Sequence, residues 1–280
     1  MESSSSVTRF LQKSLARYSW GVNMALWLRA LGRGVIGAHV LSSSDPHANG
    51  QYALAKRIAG HCHSFIEVGA KRGAWANFFL KKSGTAGPSG LLFEPYEENA
   101  DVLNAAYGDS LQVEVVQAAV GHAVGEADFF EHPGGRTSLS LSLFDLFGGA
   151  GLPQKRYPVT TLDEETYQRG WEQVDFVKIN AEGCDGLVLQ GASRLITENS
   201  IGMLQFEYGP RWAKAGKTLC AAIDFLRARG YETYILHPDG LYAFDYETFG
   251  DFFCQSYFVA LLPEKEALLG DFLRKQTYHA

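Results

Sequence analysis

The chain has 280 residues, 46% of them apolar, with a net charge of −6 and a pI near 5.8. That is enough apolar material for one large α/β domain with additions at its ends, and it argues against two equal domains. An acidic balance without any block of Lys or Arg argues against a nucleic-acid partner, whose phosphates demand clustered positive charge.

The chain opens on a polar serine tract, Met1 to Ser6, which is expected to be disordered and carries no export signal. From Phe10 onward Leu11, Leu15, Tyr18, Val22, Leu26 and Leu28 recur at near-helical spacing, with Arg9, Lys13 and Arg17 on the other side. The spacing predicts one or two amphipathic helices that pack on the domain or form a lid, with peripheral membrane contact through the basic face as the alternative. Arg29, Arg33 and several glycines interrupt the apolar run from Trp20 to Leu41, so no integral membrane segment is expected. His47 to Gly60 reads as a further helix, and residues 1–60 form an N-terminal helical extension to a domain at 61–263.

Phe65, Ile66 and Val68 make a buried strand that runs into a turn framed by Gly69 and Gly73 and then into a helix at Ala74 to Lys82. Glycine lets that turn bend sharply and lets a ligand approach the helix N–H groups. Neither G-x-G-x-x-G nor G-x-x-x-x-G-K is present, so the turn alone names no ligand. The next apolar run, Leu91 to Phe93, closes on Glu94 and Pro95, the place roughly 20 residues on where an acid holds ribose hydroxyls in doubly wound sheets. A carboxylate there disfavours a 2′-phosphate. Glu67 and Glu94 together point to a nucleoside cofactor, against the plainer reading that each caps a neighbouring helix.

A helix at Glu97 to Ala106 and a third strand at Leu111 to Ala119 complete three successive βα units, hence a parallel sheet. From Gly121 to Asp163 short β-like pieces alternate with glycine pairs, which predicts an inserted flap (121–163) over the ligand crevice. Val174 to Ile179 resumes the sheet and ends in Asn180, Ala181, Glu182 and Gly183. A helix from about Gly186 to Thr197 and a strand at Ile201 to Phe206, ending at Glu207, follow. After a helix at Thr218 to Arg229, the strands Tyr231 to Leu236 and Ser256 to Leu262 are close enough to be antiparallel, and the tail 264–280 reads as a short surface helix. Seven strands result, mostly parallel, in a Rossmann-like sheet.

Gly69, Glu94, Ala118, Asn180 and Glu207 then fall at strand carboxyl ends and converge on one crevice. Glu182 or Glu207, partly buried, could take a proton from a hydroxyl; alternatively Glu182 caps the next helix, or Asn180, Glu182 and Glu207 hold magnesium, a set that Asn in place of Asp weakens. His132 in the flap is the one histidine to watch as a base, and no histidine spacing marks a metal site. The four cysteines, far apart, fit a reducing, cytoplasmic setting. Phe144, Phe147, Trp171 and Trp212 are candidates to line an acceptor pocket.

The runs FIEVGAKRGAW, LLFEPYEENADVL, VVQAAVG, VTTLDE, VDFVKINAEGCDGLVLQGASRLI and LQFEYG, in that order, resemble the FkbM family of S-adenosylmethionine-dependent methyltransferases over about Ser64 to Leu236. The resemblance implies a class I methyltransferase fold, S-adenosylmethionine as cofactor, and O-methylation of a hydroxyl on a sugar, glycan or natural-product scaffold. It implies that Glu67, Gly69 and Gly73 line the methionine end of the cofactor, that Glu94 beside Pro95 holds its ribose, and that Ala118 flanks its adenine. The chain departs from the family by Glu67 and Asn180, each where the family usually has Asp. Asn180 cannot accept a proton, so Glu182, Glu207 or the flap must do so, or the chain is a binding protein that has lost turnover. An NAD-dependent oxidoreductase is disfavoured by the missing central glycine. Neither the acceptor nor the oligomeric state is written in these motifs.

Overall fold

The structure is a computed structural model that describes residues 6–85, 87–132, 140–142 and 154–277. The serine tract before Ser6, the side chain of His132, and Phe144 and Phe147 lie outside the described residues. Among the described residues, β1 (Ser64–Val68), β2 (Ser89–Phe93) and β3 (Val113–Val116) come first. Next are β4 (Ala119–Val120), β5 (Gly125–His132), β6 (Ser140–Ser142) and β7 (Gln154–Thr160), followed by β8 (Val174–Ile179) and β9 (Ile201–Tyr208). β10 (Glu232–His237), β11 (Gly240–Ala243), β12 (Ser256–Leu261) and β13 (Leu273–Thr277) close the chain.

Among the described residues the main sheet has nine strands in the order β3-β2-β1-β8-β9-β12-β10-β11-β13. β3, β2, β1, β8 and β9 run parallel, and β12 lies antiparallel between β9 and β10. This is the class I methyltransferase sheet, reached with two strands more than the sequence pattern predicts. β11 returns from β10 as a hairpin and β13 adds parallel to β11, so the tail contributes a strand beyond its short helix. Apolar side chains alternate across β1: Ile66 and Val68 enter one core cluster and Phe65 the other. Helices α1 (Ser6–Leu15), α2 (Ser19–His39), α3 (Gln51–Ile58), α4 (Ala74–Lys82) and α5 (Glu97–Tyr107) precede the flap. The later helices are α6 (Leu162–Gln168), α7 (Asp185–Gln190), α8 (Ser193–Thr197), α9 (Arg211–Lys214), α10 (Leu219–Arg227), α11 (Tyr246–Phe249) and α12 (Glu266–Leu269).

Three expectations change in shape. The stretch Leu111 to Ala119 splits at a tight turn in which Ala118 N–H donates to the Val116 carbonyl at 2.9 Å, so Ala119 enters the second sheet. That four-stranded sheet, β4-β7-β5-β6, is the flap. The helix expected at 186–197 is broken at Gly191, where an added Cβ would sit 1.9 Å from the Gly121 carbonyl oxygen, so the flap root passes close against the break and only glycine fits there. Finally, α2 neither packs along the domain nor covers it. Its carboxyl end packs Gly37 beside Cys254, where an added Cβ would lie 3.6 Å from the Cys254 sulfur, while residues 22–35 are exposed on every side.

Candidate active site

β1, β2, β8 and β9 all end at one edge of the sheet, and the crevice outside such an edge is where residues distant in sequence meet. A cavity of about 360 Å³ lies there between the strand ends and the flap, within the range of small-molecule sites. Gly69, Glu94, Pro95, Ala118, Asn180 and Glu182 line it, with Val120, His122 and Phe129 from the flap side. Glu67, Gly73 and Glu207 do not line it.

Gly69 takes φ +75°, and a Cβ there would sit 2.1 Å from the Asn180 carbonyl oxygen. The turn after β1 therefore passes against the backbone after β8, and only glycine fits. Gly73, at φ +79°, serves packing instead, since a Cβ would meet Leu103 at 2.9 Å and its bareness lets the start of α4 pack on α5. Glu67 also turns away from the cavity. It lies opposite Lys178 in the parallel pairing of β1 with β8 and accepts from its Nζ at 3.0 Å, both side chains almost wholly buried. Lys178 in turn stands over the Trp75 ring, 5.4 Å from its centre. Burial raises the Glu67 carboxyl above its ordinary value, with Lys178 pulling the other way.

Glu94 is held by three donors: Lys71 N–H at 2.8 Å, Tyr96 N–H at 3.0 Å and Asn99 Nδ2 at 3.4 Å. A carboxylate offers about four acceptor positions, so the three donors fix its orientation and leave capacity for a ligand hydroxyl. Burial pushes its pKa up against those hydrogen bonds. The Tyr96 bond anchors Glu94 just ahead of α5, whose N-cap, Tyr96, makes no side-chain cap bond.

Two residues with side chains occupy left-handed backbone here, Lys71 at φ +51° and Glu182 at φ +52°. Such conformations cost energy and gather at functional sites. Lys71 Nζ donates to Glu182 Oε1 at 2.8 Å, and Arg211 donates to Glu182 Oε2, so each oxygen of Glu182 faces a cation. Glu182 does not cap the following helix; the N-cap of α7 is Cys184, without a side-chain cap bond. Glu207 accepts from Tyr257 Oη at 3.2 Å and Gln255 Nε2 at 3.3 Å, and burial together with the nearby Glu182 raises its pKa.

Asp185 was not singled out by its sequence context, yet it is fully buried and accepts from Glu207 N–H at 3.1 Å and Ala181 N–H at 3.3 Å. It ties the loop after β8 to the end of β9, and burial, then the Glu207 charge, raises its pKa to about 7. The one available signal was an acid in the first turn of α7. Lys71 gave no signal, because it occupies a spacer position of the glycine turn. Trp212 is core, donating Nε1–H to the Glu207 carbonyl at 2.9 Å, and Trp171 packs beside the core away from the cavity. Among the described residues no three His, Cys, Asp or Glu side chains are grouped to hold a metal ion.

Residues 67–233 match the family described as the methyltransferase FkbM domain. Among solved structures the chain is similar to methyltransferase FkbM from Methylobacillus flagellatus KT, at 16% identity over 70% of this chain and 43% of that one, with a TM-score of 0.45. It is also similar to an O-methyltransferase from Bacillus cereus in complex with SAH, at 12% identity over 92% of this chain and 97% of that one, TM-score 0.40. A third is Aeropyrum pernix fibrillarin with natively bound S-adenosyl-L-methionine, at 11% identity over 81% and 74%, TM-score 0.40. The chain thus spans less than half the length of the Methylobacillus protein. No curated protein matches the sequence.

Proposed function

The chain belongs to the FkbM methyltransferase family, and from that premise we propose that it methylates a hydroxyl of a sugar, glycan or natural-product small molecule with S-adenosylmethionine as donor. The observation that supports this most is that Gly69, Glu94, Pro95 and Ala118 share one cavity with Asn180 and Glu182. S-adenosylmethionine supplies a methyl group activated by positively charged sulfur. Glu94, oriented by its three donors, would hold the ribose through one hydroxyl, the bare Gly69 would admit the methionine end, and Ala118 would flank the adenine. Glu67 and Gly73 would act one layer behind, through the strand pairing and the start of α4.

On the acceptor side, the Asn180 amide donates a hydrogen bond to the acceptor oxygen, and Glu182 takes its proton. Lys71 and Arg211 position Glu182. Glu207 acts through Asp185, Tyr257 and Gln255 to hold the end of β9 in place. Titration calorimetry with S-adenosylhomocysteine, followed by transfer of labelled methyl to a panel of hydroxylated acceptors, tests the reading. Binding and transfer are expected; absence of binding at sub-millimolar ligand would overturn it. A second reading, a binding protein without turnover, is favoured by Asn180, which accepts no proton, and by the two cations on Glu182. Cofactor binding with transfer to no acceptor would decide for it.

A further inference from the structure

The methyl-transfer site makes no use of the amino-terminal helices. In α2, Trp20, Met24, Trp27, Leu28, Leu31 and Val35 recur at i, i+4, i+7, i+8, i+11 and i+15, which on a helix makes one stripe about 100° wide. A stripe of that width normally faces a core. Here all six side chains are between 41% and 63% exposed. Arg29 and Arg33, one turn apart, lie off the stripe, and α1 adds exposed Phe10 and Leu11 beside Arg9 and Lys13, with Arg17 following.

Charge identifies what covers the stripe. From Ser6 to Leu41 there are five Lys or Arg and no acid, whereas the rest of the chain carries twenty Lys or Arg against thirty-one Asp or Glu, a net of −11. Two copies pairing stripe to stripe would bring these basic segments together and repel. An anionic surface would be attracted by the same charges, at about 1 kcal/mol for each basic residue near it. Tyr18, Trp20 and Trp27 are the residue types that settle at the headgroup boundary. None of the described helices is long and apolar enough to cross a membrane, which leaves the in-plane orientation.

We propose that α1 and α2 lie in the interface of an anionic lipid bilayer, with the Trp20–Val35 stripe in the acyl boundary and the five basic side chains among the headgroups. α2 is rooted at Cys254, and Ser256, which follows, pairs with Tyr208, the last residue of β9. The membrane element therefore grows from the edge of the sheet that carries the cavity.

Flotation of the full chain with phosphatidylcholine vesicles, with and without phosphatidylserine, tests this. The chain is expected to float with the vesicles containing phosphatidylserine and not with phosphatidylcholine alone, to be released as salt is raised, and to shift its tryptophan emission to the blue on binding. Arg29→Glu combined with Arg33→Glu should weaken binding at least about tenfold, and Trp27→Asp should abolish it, each with an unchanged melting temperature. No flotation, equal flotation with both vesicle types, or a stable dimer that Trp27→Asp splits into monomers would overturn the proposal.

Discussion

Two carboxylate–cation arrangements stand at the carboxyl end of the first strand, and they differ in nearly every respect but charge. Glu67 and Lys178 join β1 to β8 inside the core, with side chains 2% and 5% exposed. Glu182, 17% exposed, spans Lys71 and Arg211, 45% and 37% exposed, at the cavity. The first pair has no water to fall back on, so losing one partner strands a charge. The second can be resolvated, so its loss costs little stability. Burial thus assigns the first pair to holding the fold and the second to shaping the cavity, a division that pairing alone would not reveal.

The sharpest break of this contrast is Glu67→Ala, which leaves Lys178 buried without its partner and should cost about 3–5 kcal/mol in denaturant unfolding. Replacing both members by apolar residues of similar size should restore most of that loss. Next comes Asp185, whose pKa rises from 3.8 unfolded to about 7 folded. Between those values the folded state binds the extra proton, so stability falls as pH rises, by up to about 1.4 kcal/mol per pH unit. Asp185→Asn should remove that component of the slope, read from unfolding midpoints across the window. Gly69→Ala, forced to hold φ +75° against the Asn180 carbonyl, should cost about 1–3 kcal/mol and weaken ligand binding as well. Smallest in stability is Glu182→Gln, within about 1 kcal/mol of wild type because its partners are more than one-third exposed. Its turnover should fall while the affinity for S-adenosylhomocysteine holds, which separates the two arrangements by readout.

What could be read in the sequence was what lies close together along it. The Gly69 turn and Glu94 announce themselves because strand, turn and acid follow in order, and both line the same cavity. Glu67 deceived through proximity: it shares that motif, but side chains alternate along a strand, and its face is the one that meets Lys178 and Trp75. The Lys71–Glu182–Arg211 group joins residues 111 and 29 positions apart, a pairing created only by the packing of β1 and β9 on either side of β8. The spacing predicted amphipathic helices at the amino terminus, but through Val22, Leu26 and Leu28, of which only Leu28 lies on the exposed α2 stripe; periodicity alone also cannot tell a stripe that finds a core from one left facing outward.

Glu94 carries the central claim. Isothermal titration of S-adenosylhomocysteine into the wild-type chain and Glu94→Ala should show binding that weakens about 10- to 100-fold in the variant, the loss expected for hydrogen bonds to a charged acceptor. Equal affinity in the two proteins, with the variant folded, would contradict the account.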